Sequence, residues 1–465
     1  MLQQSVEFPK AHSGVQGAIH IRFCFIFMRK KMKKSTSKKL LVALLAFVMV
    51  FAMTACGGGG GDSEEAASTG AGDGTSITLF NSKNEIQEDF ENLAKVYEEQ
   101  TGVHVEVYYS QDTVSAHLAT KYASKAPYTI NMVDAKDIYS LGKQYGADMS
   151  DAAWVGDTDY AISVDGKVLG FPTCIEARGI LYNKAAIEKA LGEEFDPASI
   201  KTLDDFKAIC DKLVKAGMEA PTAILKPDWS LAAHYLQQVY EEREDPEAFV
   251  QSLYAGEADL MKDEKFNALM DTFDTLKEYN MFKAGAISAE DELVHQAMAE
   301  GQDAFQFGGC WEWNDLLTYD YNGPVGIMPV PQNLQDDYSG KLVGGGSKYF
   351  YVDASEYTSE ADQEAGKAFL EWLASSDEGK TFVSDTCGMV SPFKSNTVPC
   401  TNDIGKVVKE YVDAGNLVPN YDYDPDDHYS KLGIEMQKYL GDQCTREELA
   451  KAIQDYWANV TPVEH

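Results

Sequence analysis

The chain has 465 residues, 44% of them hydrophobic and 11% aromatic, which is enough to bury a full core and excludes an intrinsically disordered protein. Its formal charge is −34, and because residues 1–55 hold nine basic residues and one acidic residue, the remainder carries 31 basic against 73 acidic side chains, a charge of −42. Such a surface excludes nucleic acid as a partner, since nucleic-acid binding depends on neutralised phosphates, and it disfavours lying flat on an anionic membrane leaflet.

The N-terminal segment has the parts of an export signal. Four lysines between positions 33 and 39 precede an apolar run over 40–55, and Cys56 and five glycines follow that run. The string Met53-Thr54-Ala55-Cys56 resembles the lipobox of bacterial lipoproteins, in which the cysteine is diacylated and becomes the mature N-terminus. The apolar run is shorter than the ~20 residues that span a bilayer, which disfavours the alternative of a membrane helix. We therefore expect a lipoprotein signal peptide at 32–55 and lipidation at Cys56.

Two further stretches flank this signal. Residues 1–31 carry a second apolar patch, ahead of a signal that is complete when read from Met32. We therefore expect 1–31 to be a wrongly assigned upstream extension, with Met32, or else Met28, as the start. Residues 56–74 are rich in Gly, Ser, Ala and acidic residues, and this composition predicts a flexible tether. The ~410 residues after Cys56 have room for two domains.

The folded part opens with a β-α-β pattern. Ser76–Phe80 is strand-like, apolar residues from Ile86 to Tyr97 recur at helical spacing, and Val103–Tyr108 alternates as a strand after Gly102. A β-α-β unit implies parallel strands. The α/β pattern continues with strands predicted at Val168–Pro172, Gly179–Tyr182 and Val325–Pro331, and with helices predicted at Leu203–Ala216, Ala361–Leu373 and Arg446–Trp457. These elements predict an α/β fold class.

Several of these segments also carry a family resemblance, in a fixed order along the chain. The strongest is Gly166–Pro172 with Glu176 and Gly179–Lys184, which is similar to a G-K-x-Y-G-x-P…E…Y-N-K stretch. Weaker matches are Lys201–Phe206, Gly344–Gly346, Ala368–Leu373, and Ala304–Trp313, which is similar to an A-M-x-x-N-G-x-W-x-W element with Gly308 where Asn is usual. By these motifs the chain resembles the family 1 extracellular solute-binding proteins of bacterial ABC importers, the group that includes the maltodextrin-binding protein.

The resemblance implies a two-lobed periplasmic-binding-protein fold of type II. Each lobe would be a mainly parallel sheet flanked by helices, and the ligand cleft would lie between the lobes. Mapped onto this chain, lobe 1 would comprise 75–174 and 330–386, and lobe 2 would comprise 175–329 and 387–465. The chain would cross between the lobes near 173–175, 328–331 and 386–389.

Aromatic residues are the first candidates for the ligand site, because sugars present C–H faces that stack on aromatic rings. By the resemblance, Trp311 is the stacking tryptophan, and the preceding Gly308-Gly309 pair leaves room for close approach. The alternative is that Trp311 or Trp313 belongs to the core, since residues two apart on a strand face opposite ways. Trp229 occupies the place of a second ligand-facing aromatic loop, although Pro-Asp-Trp is also an ordinary start of a helix.

Polar candidates come from the strand ends and from the resemblance. Glu176 matches the family's acidic residue after the first crossing, and Arg178 would pair either with an acidic ligand or with Glu176. Further candidates lie at the carboxyl ends of strands, where open α/β sheets bind ligands, although a surface turn is the alternative; they are Asn81, Lys83, Asn84, Glu85 and Asp134.

Other chemistry finds little support. The sequence has no GxSxG, HExxH, GxxxxGK[ST] or strand-linked GxGxxG motif, so no catalytic residue and no cofactor are expected. The acidic residues between 422 and 427 miss the EF-hand pattern, which favours a solvated acidic turn and no metal. Cys387 and Cys400 are close enough in sequence to pair, and the sequence leaves that disulfide open.

These observations predict a lipid-anchored, monomeric binding protein on the outer face of the cell membrane. It would capture a carbohydrate, most simply an oligosaccharide, by hinged closure of its lobes and deliver it to the permease subunits of an ABC transporter. The alternatives are a binding protein for a non-sugar ligand such as a polyamine, a secreted carbohydrate-active enzyme, and a sensor partner of a membrane kinase.

Overall fold

The computed structural model describes residues 75–110 and 112–463. The upstream extension, the signal peptide, the tether and Cys56 all lie outside these residues. The strands are β1 (Ser76–Asn81), β2 (His104–Tyr109), β3 (Ile130–Asp134), β4 (Ile162–Val164), β5 (Lys167–Asn183), β6 (Thr222–Ala223), β7 (Phe305–Gly309), β8 (Val325–Met328), β9 (Leu342–Val352) and β10 (Leu417–Val418).

Helices separate most of these strands. The α-helices are α1 (Gln87–Thr101), α2 (Val114–Ala123), α3 (Ala135–Asp137), α4 (Lys143–Tyr145), α5 (Lys184–Leu191), α6 (Leu203–Lys215), α7 (Gln238–Glu241), α8 (Pro246–Tyr254), α9 (Glu264–Glu278), α10 (Asp291–Glu300), α11 (Trp313–Leu316), α12 (Glu360–Ser375), α13 (Asp377–Thr381), α14 (Asp403–Asp413), α15 (His428–Leu440) and α16 (Arg446–Asn459). Shorter turns of π- or 3₁₀-helix occur at Ile138–Gly142, Trp229–Leu236, Phe382–Thr386, Asn84–Ile86, Ala153–Asp157, Pro197–Ser199, Leu260–Lys262, Lys283–Ser288 and Cys310–Glu312. Within the described ranges, no helix combines the length and the apolar character that a bilayer crossing requires.

The predicted β-α-β opening is confirmed. β1 pairs in parallel with β2 in the register Ser76 to His104, and α1 connects the two strands. α1 buries Phe90, Leu93 and Tyr97 on one face and ends at Gly102, whose φ of 76° is the left-handed conformation that glycine adopts without strain. The other predicted helices are also present, in α6, α12 and α16, each within a few residues of the expected bounds.

One long strand pair runs through the centre of the molecule. The strands expected at 168–172 and 179–182 are parts of a single 17-residue strand, β5, which pairs antiparallel with β9 from Phe171 to Arg178. The register shifts between Pro172 and Cys174 and again between Cys174 and Ile175. Pro172 has no N–H to donate to the hydrogen bonds between the two strands. The sheet order is β2-β1-β3-β9-β5-β7-β6, with β10 beside β9 and with β4 and β8 beside β5. The sheet is therefore mixed and not mainly parallel as the resemblance implied, because β5 pairs antiparallel with β4, β7, β8 and β9.

Buried side chains form several clusters along this sheet, and we group the four largest by chain segment into two core regions. The first core region runs from Ile77 to Cys174 and from Tyr349 to Phe393. The second core region runs from Ile175 to Leu342 and from Val390 to Trp457, and it includes the fully buried Trp457. The chain changes region within β5, within β9 and again next to Val390, which bridges to Ile175 of β5.

The six cysteines among the described residues are free thiols. The possible disulfide between Cys387 and Cys400 is therefore not formed, and Cys400 Sγ donates instead to the carbonyl of Gly388 at 3.4 Å. Cys174 and Cys387 are buried in the first core region, where they pack as small apolar residues.

Candidate functional site

A cavity of about 620 Å³ lies where both core regions meet the central strands. The first region contributes the ends of β1 and β3, the second contributes the helical turn Trp229–Leu236 and the segment after β7, and β5 and β9 form the floor. Of the nine residues predicted for the site, seven line this cavity: Trp311, Glu176, Trp229, Lys83, Glu85, Asp134 and Arg178. The cavity therefore brings together residues that are far apart in the chain.

The other two predicted residues, Asn81 and Asn84, are not part of the lining. Asn81 is fully buried, and its side chain donates to the carbonyl of Lys83 at 2.8 Å and accepts from the N–H of Lys83 at 3.0 Å. Asn84 is exposed and begins the short helical turn before α1. Asn81 thus shapes the turn that presents Lys83 to the cavity, which is a positioning role.

Lys83 is a buried cation on the side of the cavity that the first core region contributes. Its Nζ lies 2.9 Å from Glu176 Oε1 and 2.8 Å from Glu85 Oε1. Burial alone would lower the pKa of Lys83, but the carboxylates of Glu176 and Glu85 raise that pKa well above its ordinary value. Lys83 therefore stays charged and holds two acidic side chains at the cavity wall.

Arg178 and Asp134 are also held by ion pairs. Arg178 Nη2 pairs with the buried Glu241, and its other nitrogens donate to Asn420 Oδ1 at 3.0 Å and to the His234 carbonyl at 3.1 Å. Arg178 thus pairs with Glu241, and Glu176, its predicted protein partner, is held by Lys83. Burial would raise the pKa of Asp134, but its ion pair with Lys348 holds that pKa below the usual value.

Three aromatic rings form the opposite wall. The imidazole of His234 lies 4.5 Å from the Trp311 ring and 5.4 Å from the Trp229 ring, measured between centroids. A Cβ on Gly309 would lie 2.2 Å from Cζ3 of Trp311, so only glycine lets the indole fold back against the end of β7. Trp313 is buried in contact with Tyr321 and does not line the cavity. Alternation along a strand does not explain this difference between the two tryptophans, because β7 ends at Gly309 and neither of them lies on a strand.

His234 is a neutral member of this wall. Burial, followed by the nearby Arg178 and Lys348 cations, lowers the pKa of His234 well below its usual value. Its Nδ1 atom is buried and has no hydrogen-bond partner among the described residues. The same is true of Ser82 Oγ and Gln237 Oε1, which belong to other lining residues. A polar ligand that reached these atoms would satisfy groups that the described residues leave without partners.

The segment after β10 supplies lining residues that the sequence did not indicate. The acidic turn was expected to be solvated, and that expectation is wrong for Asp422 and Asp424, which line the cavity, whereas Asp426 is exposed. Burial, followed by the charge of Glu241, raises the pKa of Asp422 to about 7. Asp424 accepts from Gln237 Nε2, while its Oδ1 has no partner among the described residues.

No local signal could have placed this segment, because its position depends on contacts made across the whole fold. His234 was more accessible to sequence reasoning, since it follows Trp229 by five residues in the same π-helical segment. Lys348 could have been found from the glycine strand, because it lies two residues after Gly346. In chemical terms the cavity offers aromatic faces, neutral amides and fixed charges, which together suit a polar ligand with apolar faces.

Comparisons with known proteins identify the family and the fold of this chain. A family model described as bacterial extracellular solute-binding protein matches residues 92–402. The melibiose/raffinose/stachyose-binding protein MelE of Bacillus subtilis is 21% identical over 274 residues, and the match covers 55% of this chain and 61% of that protein.

Two solved structures are similar in fold. The binding protein MsmE of Bacillus subtilis, in an open conformation, has a TM-score of 0.66 at 18% identity, covering 82% of this chain and 96% of its own. A sugar transporter protein of Bacillus licheniformis, in complex with stachyose, has a TM-score of 0.64 at 18% identity, covering 83% and 99%.

These likenesses confirm the α/β, two-lobed periplasmic-binding-protein fold that the motifs predicted. The family model covers more than half of the chain, from within α1 to the start of α14. This chain therefore belongs to the bacterial extracellular solute-binding proteins.

Proposed function

We propose that this protein captures an oligosaccharide outside the cytoplasm and delivers it to an ABC permease. The observation that carries the proposal is the aromatic wall of Trp311, His234 and Trp229. In the same cavity it faces fixed charges and buried polar atoms that have no hydrogen-bond partner in the described part of the chain. Sugar rings place C–H groups against aromatic faces and hydroxyl groups against acceptors and donors. The names of MelE and of the stachyose complex support a sugar as the ligand class.

Hinged closure is the proposed mechanism. We propose that the lobes correspond to the two core regions. The passages between them would then lie within β5 near Cys174, next to Val390, and within β9 between Leu342 and Tyr349. The last of these replaces the crossing expected near 328–331, because Val330 and Leu342 both pack in the second core region. Lys136 Nζ of the first region lies 2.8 Å from Asp426 Oδ1 in the segment after β10, and this contact ties one side of the cavity to the other. A ligand that touches both walls stabilises the closed form by its differential contacts.

The family is extracellular, so the chain acts outside the cytoplasm. We further propose that Cys56 carries a lipid anchor and that the folded part acts as a monomer. The lipobox-like string and the glycine-rich tether support the anchor. Metabolic labelling with a fatty-acid analogue tests it: the native precursor should be labelled and remain with membranes, whereas Cys56→Ala should lose the label. Labelling that survives this substitution would contradict the anchor.

The ligand should leave chemically unchanged, because the family is one of binding proteins. Incubation of the purified protein with raffinose, stachyose and maltodextrins, followed by chromatography, should recover the input sugar. Turnover of any of these sugars would replace the transport proposal with a secreted carbohydrate-active enzyme.

A thermal-shift screen tests the ligand class directly. Oligosaccharides at saturating concentration should raise the Tm, since a ligand that binds only the folded state stabilises it by mass action. Trp311→Ala should abolish the shift. Trp372→Ala is the matched control, because Trp372 is also partly exposed but donates to Gln100 far from the cavity. Loss of the shift in both variants, or in neither, would contradict the stacking role.

A cationic ligand such as a polyamine is a second candidate. Asp422 and Asp424 line the cavity without forming a salt bridge among the described residues, and a diamine would neutralise them. Several other cavity carboxylates are already paired with Lys83, Arg178 or Lys348, and this favours the sugar. A Tm raised by spermidine and unchanged by every sugar would select the cationic ligand.

A further inference from the structure

A second polar cluster lies behind the aromatic wall, outside the lining of the cavity. It combines His295 on α10, Glu312 in the turn after β7, and Asp315 on α11. One ligand atom from each of these three side chains lies within 4.8 Å of the others. His295 Nε2 and Glu312 Oε2 are 2.5 Å apart, and Glu312 is 2% exposed.

Asp291 adds a third carboxylate, and one of its oxygens, the buried Oδ1, has no hydrogen-bond partner among the described residues. Asp291 lies four residues before His295 on the same helix, so the two side chains share a helix face. The nearby Lys226 forms its ion pair with Glu290, at 3.8 Å, rather than with Asp291. The cluster therefore holds three carboxylates against one imidazole.

The donor set fits a divalent transition metal. An imidazole nitrogen with carboxylate oxygens suits Zn²⁺ or Mn²⁺, whereas Mg²⁺ and Ca²⁺ prefer oxygen ligands throughout. Zinc bonds of ~2.0–2.2 Å bring ligand atoms to about 3.5 Å from one another, a separation that small side-chain movements reach from the observed spacing. Asp315 is exposed, so an ion has access from solvent.

We propose that Asp291, His295, Glu312 and Asp315 form a site for one divalent transition-metal ion, with Zn²⁺ or Mn²⁺ as the ion. An ion bound at this site would also affect the position of Trp311 in the cavity. Glu312 faces His295 with Oε2 and accepts from Trp311 Nε1 with Oε1 at 3.0 Å. A metal that fixes Glu312 therefore fixes the indole that lines the cavity, in the way that outer partners orient a binding residue.

Titration calorimetry on metal-free protein tests this proposal. The protein is stripped with a chelator, dialysed, and titrated with Zn²⁺ and separately with Mn²⁺. At least one ion should bind with a 1:1 stoichiometry and a micromolar Kd, and binding should change the tryptophan fluorescence. Trp311→Phe should keep the binding and lose most of the fluorescence change.

Two variants test whether the ion binds at this cluster. Asp315→Asn, at an exposed position, and His295→Ala should each weaken binding by at least tenfold. His104→Ala is the matched control, because His104 also pairs with a glutamate, Glu98, but lies on β2 away from the cluster. Absence of binding of both ions at about 100 μM, or binding that survives both cluster variants, would overturn the proposal and leave the His295–Glu312 hydrogen bond as the cluster's own stabilising contact. The assay contains no sugar, so its outcome is independent of the proposed transport function.

Discussion

Asp303 should destabilise the fold at neutral pH, and Asp303→Asn should relieve that cost. Asp303 is 0% exposed, its Oδ2 accepts from Gln306 Nε2 at 2.7 Å, and its Oδ1 has no hydrogen-bond partner among the described residues. Burial raises the pKa of Asp303 to about 8, whereas an aspartate in an unfolded chain has a pKa of ~3.9. Between these two values the unfolded chain releases the proton and the folded chain keeps it.

The size and sign of the effect follow from this difference in pKa. Below the unfolded-state pKa both states are protonated and there is no cost. The cost then grows by ~1.4 kcal/mol per pH unit and levels off above the folded-state pKa. Asparagine has the shape of the protonated acid and does not ionise. Asp303→Asn should therefore stabilise the protein by roughly 4 kcal/mol at pH 7 and by less than about 1 kcal/mol at pH 4.

Chemical denaturation of both proteins across this pH range measures the difference in unfolding free energy. The matched control is Asp320→Asn, since Asp320 is exposed and surface substitutions change stability by less than ~0.5 kcal/mol. A stability difference between Asp303→Asn and the native protein that stays constant with pH would refute the reasoning. An asparagine variant less stable than the native protein at pH 7 would refute it equally.

Three further predictions follow from the cavity and the central strands. Lys83→Met leaves Glu176, whose side chain is 12% exposed, without its cation and should lower the unfolding free energy in urea by about 3 kcal/mol. Gly344→Ala places a Cβ 2.3 Å from the Glu176 carbonyl and should lower Tm, whereas Gly345→Ala, whose Cβ would be 3.6 Å from its nearest neighbour, should leave Tm nearly unchanged. Because burial raises the pKa of Asp422 to about 7, a cationic ligand should bind more tightly at pH 8 than at pH 6 in calorimetric titrations, and a neutral sugar should not. A Lys83→Met variant as stable as the native protein would contradict the first prediction, and a Tm equally lowered in both glycine variants would contradict the second. A pH trend that persists in Asp422→Asn would contradict the third.

The parts of the fold that the sequence predicted well are those encoded by local patterns. The β-α-β opening follows from alternation, helical spacing and Gly102, and α6 begins at Leu203 as predicted, with Thr202 as its N-cap. The two short strands around Glu176 were separated in the prediction because Pro172 and a polar stretch interrupt the apolar run. Pairing with β9 on one side and with β7 and β8 on the other overrides that interruption and keeps β5 continuous.

The candidate site shows where local reasoning ends. Trp311 and Glu176 were indicated by motif resemblance, and Lys83 and Asp134 by their places at strand ends. The partners of these residues were not indicated, because Lys83 meets Glu176 across 93 residues and Lys348 meets Asp134 across 214. The composition of the acidic segment after β10 predicts a solvated turn, because composition alone does not reveal which carboxylates the fold brings into a cavity.

The central claim is that a neutral oligosaccharide binds in this cavity by stacking on Trp311. Isothermal titration with raffinose, stachyose and a maltodextrin measures it most directly. At least one of these sugars should bind with a 1:1 stoichiometry and a micromolar Kd, and Trp311→Ala should weaken that binding by about 2 kcal/mol, or ~30-fold in Kd. Absence of binding to all three sugars, or unchanged affinity in Trp311→Ala, would contradict the account.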